Sequence, residues 1–296
     1  MTFLVTGASG LVGGQVVRDL KALGHRVVAM SRTCPDTSPV DEWVLGDLAT
    51  IDWKASVGGI DGIAAIGGSL DMRSSAEAWQ TCLDVNVLGL RRLVDFALDQ
   101  GVSRFVYTSS AGLYRRPAEN LPVNVNDEIR PARPYWTSKL LGEQLLTADD
   151  VAPKLNPWIL RLSSPYGPTM PTRSVLPIFI DRARKGEPLA VRGTGSRSQD
   201  FISVWDASWA HVQCLLTDAK SPGPINLGSG IETSMLNLAK AVNDTFGNST
   251  PIVFEPDDGS DSDRFVLDVS DLKALFAYTP MDLCTGLKRF SEESNS

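Results

Sequence analysis

The stretch Thr2-Phe-Leu-Val-Thr-Gly7-Ala-Ser-Gly10-Leu-Val-Gly13-Gly14 decides how the rest of the chain is read. Phe3, Leu4 and Val5 form an apolar run that suits a buried strand. Gly7, Gly10 and Gly13 follow at even spacing, and a helical apolar pattern begins at Leu11. Strand, glycine turn and helix together suit a pyrophosphate. A backbone without side chains comes close to the anion, and the helix N-terminus turns its N–H groups and dipole towards it. The expected contacts run through Gly7, Ser9, Gly10, Leu11, Val12 and Gly13, and the expected ligand is a dinucleotide. A plain tight turn is the competing reading of the same glycines.

Outward from this stretch, strands and helices alternate. The apolar helix Leu11–Leu23 ends at Gly24, a natural C-cap. Strands are expected at Phe3–Thr6, Arg26–Met30, Glu42–Leu45, Ile60–Ile66, Arg104–Thr108 and Trp158–Leu162. Helices are expected at Ser75–Ala97 and Tyr135–Thr147, with a polar loop over Arg115–Pro134. This alternation implies parallel βαβ units, whose ligands bind beyond the C-terminal strand ends. From Ser163 the prolines read as irregular chain. Helices at Val175–Arg184, Ala207–Leu216, Ser234–Phe246, Leu272–Phe276 and Leu283–Phe290 then mix with short strands at Leu189–Val191, Phe201–Val204 and Ile225–Leu227. Residues 1–164 are read as a dinucleotide-binding lobe to which 201–227 returns, and 165–200 with 228–296 as a smaller α/β substrate lobe.

Composition narrows the function. The 296 residues carry a net charge of −7 and no basic run, so nothing marks a nucleic-acid or anionic-membrane surface. The scattered cysteines Cys34, Cys82, Cys214 and Cys284 read as structural thiols of a reducing compartment. His25 and His211 belong to no metal-spaced cluster, so no metal is expected. No signal peptide or membrane-length apolar run is seen, and a cytoplasmic enzyme is the expectation.

The second strand ends Met30-Ser31-Arg32, without the acid that would accept from adenine ribose hydroxyls. A serine and a guanidinium welcome a 2′-phosphate, which points to NADP in preference to NAD. A solvated loop charge is the alternative for Arg32. After the third strand, Asp47-Leu48 is placed near the adenine, with an ordinary turn aspartate as the alternative.

Tyr135-Trp-Thr-Ser-Lys139 sets a phenol and an ammonium one helical turn apart. A cation beside the phenol is expected to lower its pKa, so that the pair can move a proton at a hydroxyl or carbonyl oxygen. Thr108-Ser109-Ser110, at the end of the fifth strand, supplies a hydroxyl for the same oxygen. Hydride transfer to a nicotinamide then completes the chemistry.

With these residues in hand, the chain resembles the extended short-chain dehydrogenase/reductases of the NAD(P)-dependent epimerase/dehydratase family, which includes nucleotide-sugar enzymes. The resemblance rests on the glycine turn, Asn86-Val-Leu-Gly89, Arg104-Phe-Val-Tyr-Thr-Ser-Ser110, Leu113-Tyr114, Tyr135-x-x-x-Lys139, Leu160-Arg161 with Tyr166-Gly167-Pro168, Gly193-x-Gly195, Asp200-Phe201-Ile202 and Asn226-Leu-Gly-Ser-Gly230. It implies a Rossmann doubly wound parallel sheet. It also implies Ser110 as the polarising hydroxyl, Tyr135 as acid/base, and Lys139 as phenolate stabiliser and ribose ligand. Gly67, Gly68, Asn86, Thr108 and Pro165 join the implied cofactor residues, and Ser164 faces the substrate.

The departures also carry information. Ala111-Gly112 stand where the family's dehydratases have Asp-Glu, which argues against dehydration. Ala65 replaces a frequent histidine, and Ser164 the usual asparagine. Gln199 replaces an arginine that contacts a sugar nucleotide's diphosphate; Arg197 is its candidate substitute, and Arg264 falls near a second such arginine. The expected function is ketoreduction of a nucleotide-activated sugar. An epimerase that keeps its cofactor is the alternative, and a non-catalytic dinucleotide sensor a third reading. The apolar helices Ser75–Ala97 and Tyr135–Thr147 are expected to pair two copies into a dimer.

Overall fold

The computed structural model describes residues 1–35, 39–172 and 174–294. Its strands are β1 (Thr2–Thr6), β2 (Arg26–Ser31), β3 (Glu42–Leu45), β4 (Gly62–Ala65), β5 (Arg104–Ser110), β6 (Pro157–Leu162), β7 (Ser164–Tyr166), β8 (Ala190–Arg192), β9 (Ser198–Ser203), β10 (Pro224–Leu227), β11 (Glu232–Ser234) and β12 (Val253–Glu255). A seven-stranded sheet runs in the order β10-β6-β5-β4-β1-β2-β3, and the pairings from β6 through to β3 are parallel. Chain order reverses between β1 and β4, where Thr6 pairs with Ala65. A ligand of a doubly wound sheet binds beyond such a reversal.

The sheet forms because its central strands are mostly apolar and buried on both faces, as parallel strands must be. Phe3, Leu4, Val5, Ile63, Phe105, Val106, Ile159 and Leu160 are fully buried. Each contributes about 1.5–3 kcal/mol by leaving water. A short helix at Trp53–Ser56, capped by Asp52, sets Trp53 against Phe96 with ring centroids 5.9 Å apart.

The long helix expected over Ser75–Ala97 starts at Ser75, whose hydroxyl accepts from the Ala78 N–H. It is not uniform. Leu83–Leu88 is a π-helical turn between α-helical Ala76–Cys82 and Gly89–Asp99. The insertion rotates the residues after it, and it sets Asn86 on the buried side. β5 runs on to Ser110, past the expected end at Thr108. The stretch after Ser163, expected to be irregular, begins instead with β7, which pairs in parallel with β9. Strand pairing overrides the prolines there because Pro165 lacks only the N–H donor and keeps its carbonyl as an acceptor.

Two compact units divide the chain. The first comprises Met1–Tyr114, Glu128–Leu162 and Ala207–Ile225. The second comprises Arg115–Asp127, Ser163–Asp206 and Asn226–Ser296. Arg115–Asp127 groups with the second unit through specific bonds. The Val123 N–H donates to Val266 O, the Asp268 N–H donates to Val123 O, and Arg116 forks onto Asp263. The second unit centres on Asp200, a buried carboxylate that accepts from the backbone N–H groups of Ser229, Gly230 and Leu267. No helix among the described residues is long and apolar enough to cross a membrane, and none of their His, Cys, Asp and Glu groups could hold a metal ion.

His211, on the helix Val204–Leu216, is fully buried under the sheet. Its Nδ1 lies 2.6 Å from Ala207 O, and its Nε2 lies 2.7 Å from Thr108 Oγ1. Burial pushes its pKa down to about 4. A histidine neutral when folded and titrating near 6.5 when unfolded stabilises the fold fully above about pH 6.5. That contribution is lost as the pH falls towards 4, and it amounts to about 3 kcal/mol. In urea titrations at pH 7 and pH 4.5, His211→Gln is expected to lose less stability on acidification than the wild type. Equal losses in the two proteins would count against a neutral buried His211.

Candidate active site

The floor of the site is backbone packed on backbone at the reversal of the sheet. Gly7 has φ +67°, and a Cβ there would fall 2.7 Å from the Gly67 Cα. A Cβ on Gly13 would fall 2.3 Å from Gly7 O. Thr6 Oγ1 accepts from the N–H groups of Ile66 and Gly67, at 3.1 and 3.0 Å, and so ties the end of β1 to the turn after β4. The helix Leu11–Ala22 begins at Gly10, which supplies no side-chain cap. Its first-turn N–H groups therefore remain donors in search of an acceptor. Leu11 is half-buried and Val12 buried within that turn. This cradle fits the pyrophosphate of a dinucleotide.

At the end of β2, Ser31 is buried and its hydroxyl lies 2.5 Å from that of the exposed Ser9. Arg32 follows, exposed. Asp47 caps its own turn, accepting from the Ala49 N–H at 2.9 Å. Leu48 is buried and walls a cavity that Thr6, Ala65, Gly67, Asn86, Tyr107 and Lys139 also line. Gly68 stands beside it, where a Cβ would lie 2.8 Å from Asn86 Oδ1 and 3.5 Å from Lys139 Nζ.

Alternation along β5 sorts its hydroxyls. Thr108 turns to His211, whereas Ser109 turns to the helix Pro134–Leu146 and bonds Glu143 at 2.5 Å. Ser110, half-buried at the strand end, accepts from the Gly112 N–H at 3.1 Å. With that lone pair occupied, the Ser110 hydrogen is left to donate elsewhere. Lys139 is buried and donates to Thr108 O at 2.9 Å, with its Nζ 4.7 Å from the Tyr107 ring centroid and 5.8 Å from that of Tyr135. Asn86 is wholly engaged by protein, accepting from the Ser69 N–H and donating to Ser69 O and Ser138 Oγ.

The expected depression of the Tyr135 pKa is not what the geometry produces. Burial comes first and pushes the phenol above its ordinary value. Burial also pushes Lys139 down, to about 8. The Lys139 ammonium donates to the Thr108 carbonyl with its Nζ 5.8 Å from the Tyr135 ring centroid, and burial of the phenol outweighs its attraction.

A polar network that no sequence motif announces lies beneath this centre. Glu143 and Arg161 form a buried ion pair, with Nε–Oε1 3.0 Å and Nη2–Oε2 2.8 Å. Arg161 Nη1 also reaches Tyr114 OH at 3.1 Å. The available signals were an arginine inside the apolar run Pro157–Leu162 and an acid one turn after Lys139. Two charges on buried faces require each other.

The remaining candidates lie in the second unit. Ser164 and Pro165 are half-buried on β7, and Gln199 is half-buried on β9. Arg197 is half-buried, with its Nε enclosed and unbonded among the described residues. Arg264 is exposed and forks onto Glu232 at 2.7 and 2.6 Å, so its guanidinium already has a carboxylate.

Residues 3–228 match the family model described as the NAD dependent epimerase/dehydratase family. A putative UDP-glucose 4-epimerase of Methanocaldococcus jannaschii is 26% identical over 97% of this chain and 96% of its own. A dTDP-4-dehydro-6-deoxy-D-allose reductase of Streptomyces bikiniensis is 29% identical over 97% and 94%. Among solved structures, MoeE5 in complex with UDP-glucose and NAD superposes with TM-score 0.85 at 25% identity, covering 100% of both chains.

The buried pair yields a stability test. Glu143→Gln strands the Arg161 charge in the interior and is expected to cost about 3–5 kcal/mol in urea unfolding. Replacing both partners, Glu143→Leu with Arg161→Met, is expected to cost less than that single change. A single variant as stable as wild type would show that the pair is not a buried tether.

Proposed function

This chain belongs to the NAD dependent epimerase/dehydratase family, and we propose that it interconverts a secondary alcohol and a ketone on a nucleotide-activated sugar. The observation that supports the reading is in the first unit: the buried Lys139 ammonium lies 5.8 Å from the Tyr135 ring centroid and bonds the carbonyl of Thr108, on the strand that ends at the oriented Ser110 hydroxyl. The bound nicotinamide supplies the hydride acceptor or donor. In the oxidative direction the phenolate form of Tyr135 takes the proton of the substrate hydroxyl, and Ser110 donates a hydrogen bond to the same oxygen. In the reductive direction Tyr135 returns a proton to the carbonyl oxygen. Lys139 holds a positive charge one helical turn from the phenol, where negative charge develops in the transition state.

NAD dependence is the family's. A preference for NADP is our finer inference. It rests on the absence of an acid at the end of β2, on the paired hydroxyls of Ser9 and Ser31, and on the exposed Arg32 beyond them. Ketoreduction is favoured over epimerisation on the same ground. The residues assigned to the cofactor are those of the glycine turn with Ser31, Arg32, Asp47, Leu48, Gly67, Gly68, Asn86, Thr108, Tyr135, Lys139 and Pro165, although the Asn86 and Thr108 side chains already have partners within the protein. Those assigned to substrate are Ser110, Ser164, Arg197, Gln199 and Arg264. Arg264 would first have to leave Glu232.

Nicotinamide absorbance measured against UDP- and dTDP-sugars and their keto forms tests this reading. Tyr135→Phe is expected to lower turnover by about 10²–10⁴-fold, and Arg32→Ala is expected to raise the KM for NADPH but not for NADH. Turnover unaffected at Tyr135 would reject the mechanism. Purified protein that retains NAD and oxidises no free NADPH would favour the epimerase.

A cytoplasmic homodimer completes the proposal. Trp79 and Leu88 are 40% and 50% exposed on the long interrupted helix, and Leu140, Leu141 and Leu145 are half-buried on the catalytic one. Light scattering at micromolar concentration is expected to give twice the chain mass. The chain mass alone would count against the pairing.

A further inference from the structure

Gly112 and Trp136 meet in a way that neither the glycine turn nor the proton chemistry requires. Gly112 lies in the one-turn segment Ala111–Leu113 that follows Ser110, and Trp136 is the residue after Tyr135. A Cβ on Gly112 would fall 2.0 Å from Trp136 Nε1, 2.3 Å from its Cε2 and 2.6 Å from its Cδ1. The pyrrole edge of the indole therefore occupies the volume that any side chain at 112 needs. The backbone conformation at Gly112 does not demand glycine, because its φ is not in the positive range. Contact with the indole demands it.

The same glycine makes the bond that aims the candidate hydroxyl, since its N–H donates to Ser110 Oγ. Ser110 pairs with Leu162 across the sheet, Ala111 and Leu113 are buried, and Leu113 O accepts from the Arg130 N–H, so the turn is held at both ends and the indole edge meets the glycine between them. The helix that carries Trp136 is likewise anchored, through Lys139 on Thr108 and Glu143 on Arg161. Rigidity thus passes from the anchored helix, through the indole edge, to the middle of the turn.

We infer that Trp136 is a positioning residue for Ser110: its indole seals the space over Gly112 and holds the turn in the arrangement that keeps the Gly112 N–H on Ser110 Oγ. The glycine and the tryptophan are then a size-matched pair. Enlarging one without shrinking the other displaces the turn, and removing the indole frees it. The consequence for turnover rests on the proposed function, whereas the consequence for the Ser110 bond does not.

The test is a cycle of Gly112→Ala, Trp136→Ala and the double variant, read by crystal structure and by turnover of a nucleotide sugar. In Gly112→Ala the bond from the residue 112 N–H to Ser110 Oγ is expected to break, and kcat to fall at least about tenfold while cofactor affinity is kept. Trp136→Ala is expected to lower kcat by a smaller factor. In the double variant the methyl group takes up part of the vacated space, so the bond returns and kcat exceeds that of Gly112→Ala. Mere destabilisation would make the double variant the worst of the three. The inference is overturned if Gly112→Ala keeps both the bond and the turnover, or if the double variant recovers neither. If the wild type turns over no nucleotide sugar, the functional reading fails, and the crystallographic distance at Ser110 alone decides the clamp.

Discussion

The buried Glu143–Arg161 pair is the constraint on which the candidate site depends. Tyr135, Lys139 and Glu143 lie at successive turns of one helical face, so fixing Glu143 fixes the register of the other two. Arg161 is held in turn by a strand inside the sheet and by Tyr114. Ser109 adds a third bond to the same carboxylate, which makes the fifth strand, the sixth strand and the catalytic helix share one polar knot. An ion pair of this kind contributes little net stability, because desolvation offsets most of the attraction. Its value is in geometry: slipping the helix by a residue would strand two charges.

The strand end shows how one short sequence divides its labour. Thr108, Ser109 and Ser110 are chemically alike, yet each has a different partner, namely a histidine, a glutamate and a backbone N–H. The first two hydroxyls serve the fold. The pleat, together with the helices covering each face, makes this assignment. The π-helical turn makes a comparable choice on the neighbouring helix, where it brings Asn86 inward to bridge the Ser69 backbone and Ser138.

Much of the architecture could be read from local pattern. The apolar runs at Phe3–Val5 and Arg26–Met30 are strands, and the alternation of strands with helices gave the parallel sheet. The three-residue strands at Ser164–Tyr166, Glu232–Ser234 and Val253–Glu255 were not legible, since pairing with distant chain, and not their own composition, makes them strands. The same holds for Arg115–Asp127, whose unit is decided by bonds to residues far along the chain. Within the site, the glycine turn and the serine, tyrosine and lysine carried sequence signals of their own. The electrostatics did not: the Tyr135 phenol is shifted by its burial, which the packing around it sets and the spacing to Lys139 does not reveal. Arg264 shows the same limit, since an arginine in a suitable position is engaged by an acid that spacing does not reveal.

The glycines differ in what surrounds them, and this bears on how the chain can drift in evolution. At Gly7 and Gly13 the obstructing atoms are backbone, belonging to Gly67 and to Gly7 itself. No substitution elsewhere can retract a main chain, so a lineage that loses either glycine has no second-site route back. At Gly142 the obstruction is the Tyr107 hydroxyl, and at Gly112 it is an indole. Those two positions can change hands whenever the opposing side chain shrinks first. Descendants of this chain should therefore hold the pyrophosphate turn invariant while exchanging sizes in pairs around the catalytic helix, a signature that suppressor genetics could recover without knowledge of the substrate.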